Sequence, residues 1–213
     1  MTGSPSSLAP ANVRIIGLVG GVASGKSLVA QQLCQLGAHS FDADRVAHDV
    51  LRLPEVEVLV RERWGTRVFG ADGHVDRAAL GGIVFEPSPR GPVELKYLEQ
   101  LTHPKIGQAF ARQLAELSTL AGTHVLVIDA PLMLEAGMDK WCEKIIFVEA
   151  PRPMRLARAL ARGWREVDFV ARERAQDSLP SKRQRADVVI DNSGSPDATR
   201  AQVERLWQSL VGV

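Results

Sequence analysis

Val13-Arg14-Ile15-Ile16-Gly17-Leu18-Val19-Gly20-Gly21-Val22-Ala23-Ser24-Gly25-Lys26-Ser27 is the stretch whose reading decides the fold. The run from Val13 to Val19 is short, apolar and β-branched, the pattern of a buried strand. Gly20 to Ser27 then fits the spacing G-x-x-x-x-G-K-[ST]. Beyond it Val29, Leu33 and Leu36 share one helical face, and Gly37 supplies a usual helix stop. Strand, glycine-rich turn and helix, in that order, are the context in which this spacing cradles phosphate. Glycines let successive N–H groups turn inward toward phosphate oxygens. The helix N-terminus adds partial positive charge. Gly21, Val22, Ala23, Ser24, Gly25, Lys26, Ser27 and Leu28 are therefore the candidate nucleotide-binding loop. Lys26 has the reach for β- and γ-phosphates, and the Ser27 hydroxyl suits a magnesium ion.

Outward from the loop, Ser40 and Phe41 end a second short strand, with Asp42-Ala43-Asp44 at its carboxyl edge. It is expected to neighbour the first strand. Three more strands are read at His124 to Ile128, Lys144 to Val148 and Asp187 to Ile190, each followed by or ending near a carboxylate: Asp129, Glu149 and Asp191. Short buried strands alternating with helices predict an α/β fold, a five-stranded parallel sheet with helices on both faces. Residues 45–121 instead keep a helical period, with Val56, Leu59, Val60 and Trp64 on one helix and Ile106, Phe110, Leu114 and Leu117 on another. Pro104 is placed at the first position of the latter, where its missing N–H costs nothing. Ser195-Pro196 reads as an N-cap and first turn, and Val203, Leu206, Trp207 and Leu210 as the apolar face of the last helix.

Composition bounds the rest. The chain has 213 residues, 45% hydrophobic and 24% charged, with formal net charge +1, which excludes wholesale disorder. Cys34 and Cys142 form no C-x-x-C pair, so neither zinc nor dithiol chemistry is supported. Met1 to Asn12 reads as a loose tail, not a secretory signal. No apolar run approaches the roughly 18 residues of a membrane span. A soluble cytoplasmic protein with reduced thiols is expected. Charge is uneven: Arg152 to Arg185 carries net +6 and the remainder −5. The aromatics in that basic segment are only Trp164 and Phe169, so nucleic acid is not the expected partner.

Several residues invite chemistry. Ligands of parallel α/β sheets sit beyond the carboxyl ends of the strands. There Asp44 could take or aim the proton of an attacking hydroxyl, or simply cap the next helix. Arg158 and Arg162, four apart, share a helix face, with Arg155 a turn back. They form either a phosphate-gripping lid or a solvated basic face. Asp129 could orient magnesium or cap a turn before Pro131. His103 is either structural or catalytic, and no two histidines stand at metal-ligand spacing. The base-reading N-K-x-D of GTPases is absent. A kinase and a nucleotide-dependent switch without an acceptor remain open on these residues alone.

The ordered set of motifs resembles one family, dephospho-coenzyme A kinase. Ile16 to Ser27 is similar to its G-L-T-G-G-I-G-S-G-K-S, and Phe41-Asp42-Ala43-Asp44 to its I-D-A-D. Leu101-Thr102-His103-Pro104-Lys105-Ile106 resembles its L-x-H-P-x-I, and Asp129 to Glu135 its D-x-P-L-L-x-E. Arg158-x-x-x-Arg162 falls at its lid arginines, Gln176 follows, and Ala186 to Asn192 resembles its A-D-x-V-I-D-N.

The resemblance implies a P-loop kinase fold with a core (13–44, 122–151 and 186–213), a helical substrate lobe (about 45–121) and a lid (about 152–185). It implies transfer of the ATP γ-phosphoryl group to the ribose 3′-hydroxyl of dephospho-coenzyme A, with Mg2+. By that carry-over Asp44 is the base, with Lys26 and Arg158 catalytic. Arg162 meets ATP, and Asn192 lies near its adenine. His103, Pro131 and Leu134 join Asp44 and Arg158 at the acceptor, and Ser27 and Asp129 serve the metal. A monomer or weak homo-oligomer is expected. The runner-up is another nucleotide or small-metabolite P-loop kinase. Two departures stand out. Ala23 replaces a glycine, which is strained if that position has positive φ, and Val19 replaces a threonine.

Overall fold

Val13–Gly20 forms strand β1 in the computed structural model of the chain, which describes residues 9–130, 133–134, 137–176 and 178–212. Parallel to it run β2 (His39–Asp42), β3 (His124–Asp129), β4 (Lys144–Glu149) and β5 (Val188–Asp191). The order across the sheet is β2-β3-β1-β4-β5. The expected pairing of the second strand with the first is therefore wrong. β3 lies between them, with Ile15 opposite Leu126 on one side and Phe41 opposite Ile128 on the other. Burial explains the order. Val125, Leu126, Val127 and Ile128 are all at 0% exposure, so this strand, apolar through its four central residues, takes a slot covered on both faces. β2, with exposed Ser40 and Asp42, suits an edge.

The helices are α1 (Lys26–Gln35), α2 (Ala43–Leu51), α3 (Pro54–Trp64), α4 (Arg77–Val84), α5 (Gly91–Ser118), α6 (Arg152–Ala161), α7 (Glu166–Arg174), α8 (Leu179–Gln184) and α9 (Pro196–Val211). Alternation along the strands divides the core. Ile16, Leu18, Val125, Val127, Ile146 and Val148 point to the face covered by Val29 and Leu33 of α1 and Val203, Leu206 and Leu210 of α9. Each such buried aliphatic side chain contributes about 2 kcal/mol. Ser195 caps α9 as expected, its hydroxyl accepting from the Ala198 N–H at 3.2 Å.

Ala43–Gln113 is a compact unit of its own, and the sheet with its flanking helices is the other. Within the helical unit Val56, Val60 and Trp64 of α3 are buried, whereas Leu59, expected beside them, is 38% exposed. Those three residues recur every fourth position and set a narrow stripe, and Leu59 falls on its flank. Glu94 of α5 is buried and accepts from Arg63 (2.9 Å) and the Trp64 indole (2.9 Å). The Arg63 guanidinium holds its carboxyl below the usual range. Pro104 corrects a second expectation: it lies inside α5 rather than at a helix start, and exposed His103 precedes it in mid-helix. Proline removes the bond to the Gln100 carbonyl. The helix continues because Thr102, Ile106 and Phe110 on either side are buried, and Pro104 itself faces outward.

Candidate active site

The site begins where β1 stops. Ser24 N–H closes a turn onto the Gly21 carbonyl at 3.0 Å, and Gly25 then caps α1 with φ of 104°. That conformation favours glycine. A Cβ there would also lie 2.0 Å from Asn192 Nδ2. No side-chain hydrogen bond caps the start of α1, and a helix N-terminus carries the partial positive charge that favours an anion. The Ser24 hydroxyl is buried and has no hydrogen-bond partner among the described residues. Lys26 folds back over the loop, Nζ donating to the carbonyls of Gly20 (3.3 Å) and Gly21 (3.5 Å). An uncapped helix start, an orphaned hydroxyl and an ammonium resting on carbonyls are the groups a polyphosphate would engage.

Ala23 has φ of 59°, the only non-glycine with positive φ among the described residues. The position at which the family's loop carries glycine is thus one that an L side chain adopts at a cost of about 1–2 kcal/mol. Its methyl packs against a cluster of Val22, Ala159 and Phe169, which offsets part of that cost.

The basic segment is no solvated face at this end. Arg155 is 2% exposed. Its Nε donates to the Ala150 carbonyl (3.1 Å) and its Nη1 to the Val22 carbonyl (3.2 Å), and Nη1 pairs with Glu173 Oε1 at 2.8 Å. Arg158 donates to the Ser24 carbonyl (3.2 Å) and the Asn192 carbonyl (2.8 Å). Asn192 Nδ2 also donates to the Ser24 carbonyl, at 2.7 Å, while its Oδ1 accepts from the Thr199 hydroxyl at 2.9 Å. The amide of Asn192 is thus committed to the loop and to α9. Gln202 grips the Asp191 backbone from both sides, at 2.9 and 2.8 Å. Hydrogen bonding from Ser193 holds the Asp191 carboxyl below its ordinary range.

At the carboxyl edge of the sheet, Asp42 of β2 and Asp129 of β3 stand opposite one another in register. Both supply oxygen donors of the kind a hard divalent cation takes. Cys142, near the other end of β4, is no nucleophile: burial, with Asp139 and Asp187 adding, pushes its thiol up to about 12.

The loop residues, Arg158 and Asn192 are thus brought together. Arg162 is the exposed C-terminal cap of α6. Asp44 stands in the first turn of α2 and His103 in α5, both in the helical unit. Leu134 is buried, and Pro131 lies outside the described residues. Sequence reasoning left Glu173, Thr199 and Gln202 without roles, and it placed Arg155 with Arg158 and Arg162 on a lid or a solvated basic face, not under the loop. Only the spacing of Arg155 from Arg158 pointed toward the loop.

A family model described as CoaE, dephospho-CoA kinase, matches residues 14–197. The chain belongs to the dephospho-CoA kinase family. Curated dephospho-CoA kinases agree over nearly the whole length. One from Carboxydothermus hydrogenoformans is 40% identical over 91% of this chain and 93% of its own. One from Frankia casuarinae is 39% identical over 92% and 83%. The crystal structure of TT1252 from Thermus thermophilus superposes with a TM-score of 0.80 at 32% identity, covering 94% of this chain and all of that one. The chain is therefore a dephospho-CoA kinase family member with the α/β fold of P-loop kinases.

Proposed function

We propose that this protein transfers the γ-phosphoryl group of ATP to the ribose 3′-hydroxyl of dephospho-CoA, giving coenzyme A and ADP, the last step of coenzyme A synthesis. The observation that carries the reading is the family match over residues 14–197, on a chain that keeps the complete phosphate loop.

The loop binds the triphosphate. The segment from Gly21 to Leu28 lines the phosphate oxygens, with Val22, Ala23, Gly25 and Ser27 offering backbone N–H groups and Ser24 its hydroxyl, while the Ser24 and Leu28 N–H groups close turns onto the Gly21 and Gly25 carbonyls. Lys26 exchanges the Gly20 and Gly21 carbonyls for β- and γ-oxygens. A charge-assisted contact to phosphate replaces contacts to neutral carbonyls, which drives the exchange. Ser27 and Asp129 would hold a magnesium ion, which neutralises charge on the phosphates when bound. Asp44 accepts the proton of the 3′-hydroxyl as the oxygen forms its bond to the γ-phosphorus. The bond to the bridging oxygen breaks and its electrons leave on ADP. Arg158 donates one N–H to the loop, at the Ser24 carbonyl, and another to the Asn192 carbonyl, and offers the moving phosphoryl group its remaining ones. Arg162 and Asn192 serve the ATP side. His103, Pro131 and Leu134 serve the acceptor side.

No helix among the described residues is long and apolar enough to cross a membrane. We read the protein as cytoplasmic, a monomer or weak homo-oligomer, acting on a small molecule rather than nucleic acid. Incubation with ATP, magnesium and dephospho-CoA, followed by mass resolution of products, tests the reading. It predicts acceptor-dependent ADP and an acceptor heavier by one phosphoryl group, and both are lost when EDTA removes the metal. Absence of acceptor-dependent ADP overturns it.

A further inference from the structure

Ala23 is held from both sides. The carbonyl before it, on Val22, accepts from Arg155. The carbonyl after its own, on Ser24, accepts from Arg158 and Asn192. These donors come from α6 and from the turn after β5, so the one strained alanine of the loop sits between two fixed points. Arg155 is the more deeply placed. Its guanidinium lies so close to the loop that a Cβ at Gly21 would stand 2.7 Å from Nη1. It also passes 5.7 Å from the Phe169 ring centre and pairs with Glu173, both on α7. Glu173 in turn accepts from Arg152 at 3.1 Å.

We propose that Arg155 is a positioning residue for nucleotide binding: through the Val22 carbonyl it keeps Ala23 in the left-handed conformation that the phosphate cradle requires, and through Glu173 it ties that conformation to α6 and α7. The chemistry is specific to arginine. One planar cation satisfies two carbonyls and a carboxylate at once, a geometry that lysine cannot span. Without it, alanine returns toward negative φ. The Val22–Ala23 peptide then rotates, and its N–H no longer points into the cradle. With glycine at that position both signs of φ are nearly equal in energy, so the guanidinium has less to oppose. The inference rests on the proposed use of the loop for ATP, and its test is separable from that proposal because it reads binding rather than transfer.

The experiment is a double-mutant cycle on ADP affinity, measured by calorimetry with the full chain. Arg155→Met weakens ADP binding about tenfold, the ratio that left-handed strain of this size sets. In the A23G background the same substitution costs under about threefold. A residue that only stabilised the fold would lower the melting temperature by similar amounts in both backgrounds and show no such dependence on Ala23. If Arg155→Met does not fold, Glu173→Gln keeps the arginine but loosens its anchor. It then gives a smaller loss of ADP affinity, again reduced by A23G. Unchanged ADP affinity in the folded variant, or an equal loss in both backgrounds, overturns the proposal. Loss of transfer to dephospho-CoA in the unmodified protein would instead count against the function.

Discussion

Arg158 and Asn192 donate to one atom: the Ser24 carbonyl oxygen accepts from Arg158 Nη1 at 3.2 Å and from Asn192 Nδ2 at 2.7 Å. Arg158 Nη2 closes the triangle on the Asn192 carbonyl at 2.8 Å. The residue before Gly25 is thereby fixed by groups far away in sequence, just where the helix start must face phosphate.

Asn192→Ala removes one corner and leaves the buried Thr199 hydroxyl with only a long contact, 3.4 Å to the Ser195 carbonyl. The expected cost is about 1–3 kcal/mol of stability, read by denaturant unfolding. ATP and GTP binding should weaken by the same factor, because the effect passes through the loop. A change in their ratio would instead make Asn192 a reader of the base.

Arg158→Ala should lower kcat about 100-fold, as loss of a preorganised donor at a transferring group does. Arg158→Lys should restore little of it, since an ammonium cannot bridge the Ser24 and Asn192 carbonyls as a fork does. A rise in KM for ATP with kcat intact would reduce Arg158 to a buttress.

Asp44→Asn should keep ATP binding and lower turnover about 10²–10⁴-fold, the range of a positioned proton acceptor. Wild-type turnover would make Asp44 a helix-start carboxylate and nothing more.

Cys142 gives a prediction at alkaline pH. Burial raises its folded-state pKa from 9.0 to about 12. The unfolded chain therefore ionises first, and the stability this thiol contributes is present below pH 9 and fades as pH climbs toward 12. Chemical unfolding across that window should show the decline, and Cys142→Ala should flatten it. Equal slopes in the two proteins would contradict the assignment.

The sheet and the loop were legible because their signals are local. A β-branched run, a fixed glycine spacing and a helical period each occupy fewer than twenty consecutive residues, from Val13 to Leu28 and from Pro196 to Leu210. Strand order was not local. β3 enters beside β1 from over a hundred residues away, and only the burial of its four central residues selects the slot. Pro104 misled for a related reason, since tertiary burial of Thr102, Ile106 and Phe110 outweighs a broken helical bond. The consequence of Ala23 was foreseen as a condition on φ, and the observed 59° meets it. The supports were hidden, because nothing in a sequence links Arg155 to the Val22 carbonyl 133 residues away.

The most direct measurement is a crystal structure with a non-hydrolysable ATP analogue, magnesium and dephospho-CoA bound together. The account predicts β- and γ-phosphates against the loop of residues 21–28, and the Asp44 carboxylate within about 3 Å of the ribose 3′-oxygen. Phosphates lodged away from that loop, or an Asp44 remote from every acceptor hydroxyl, would contradict it.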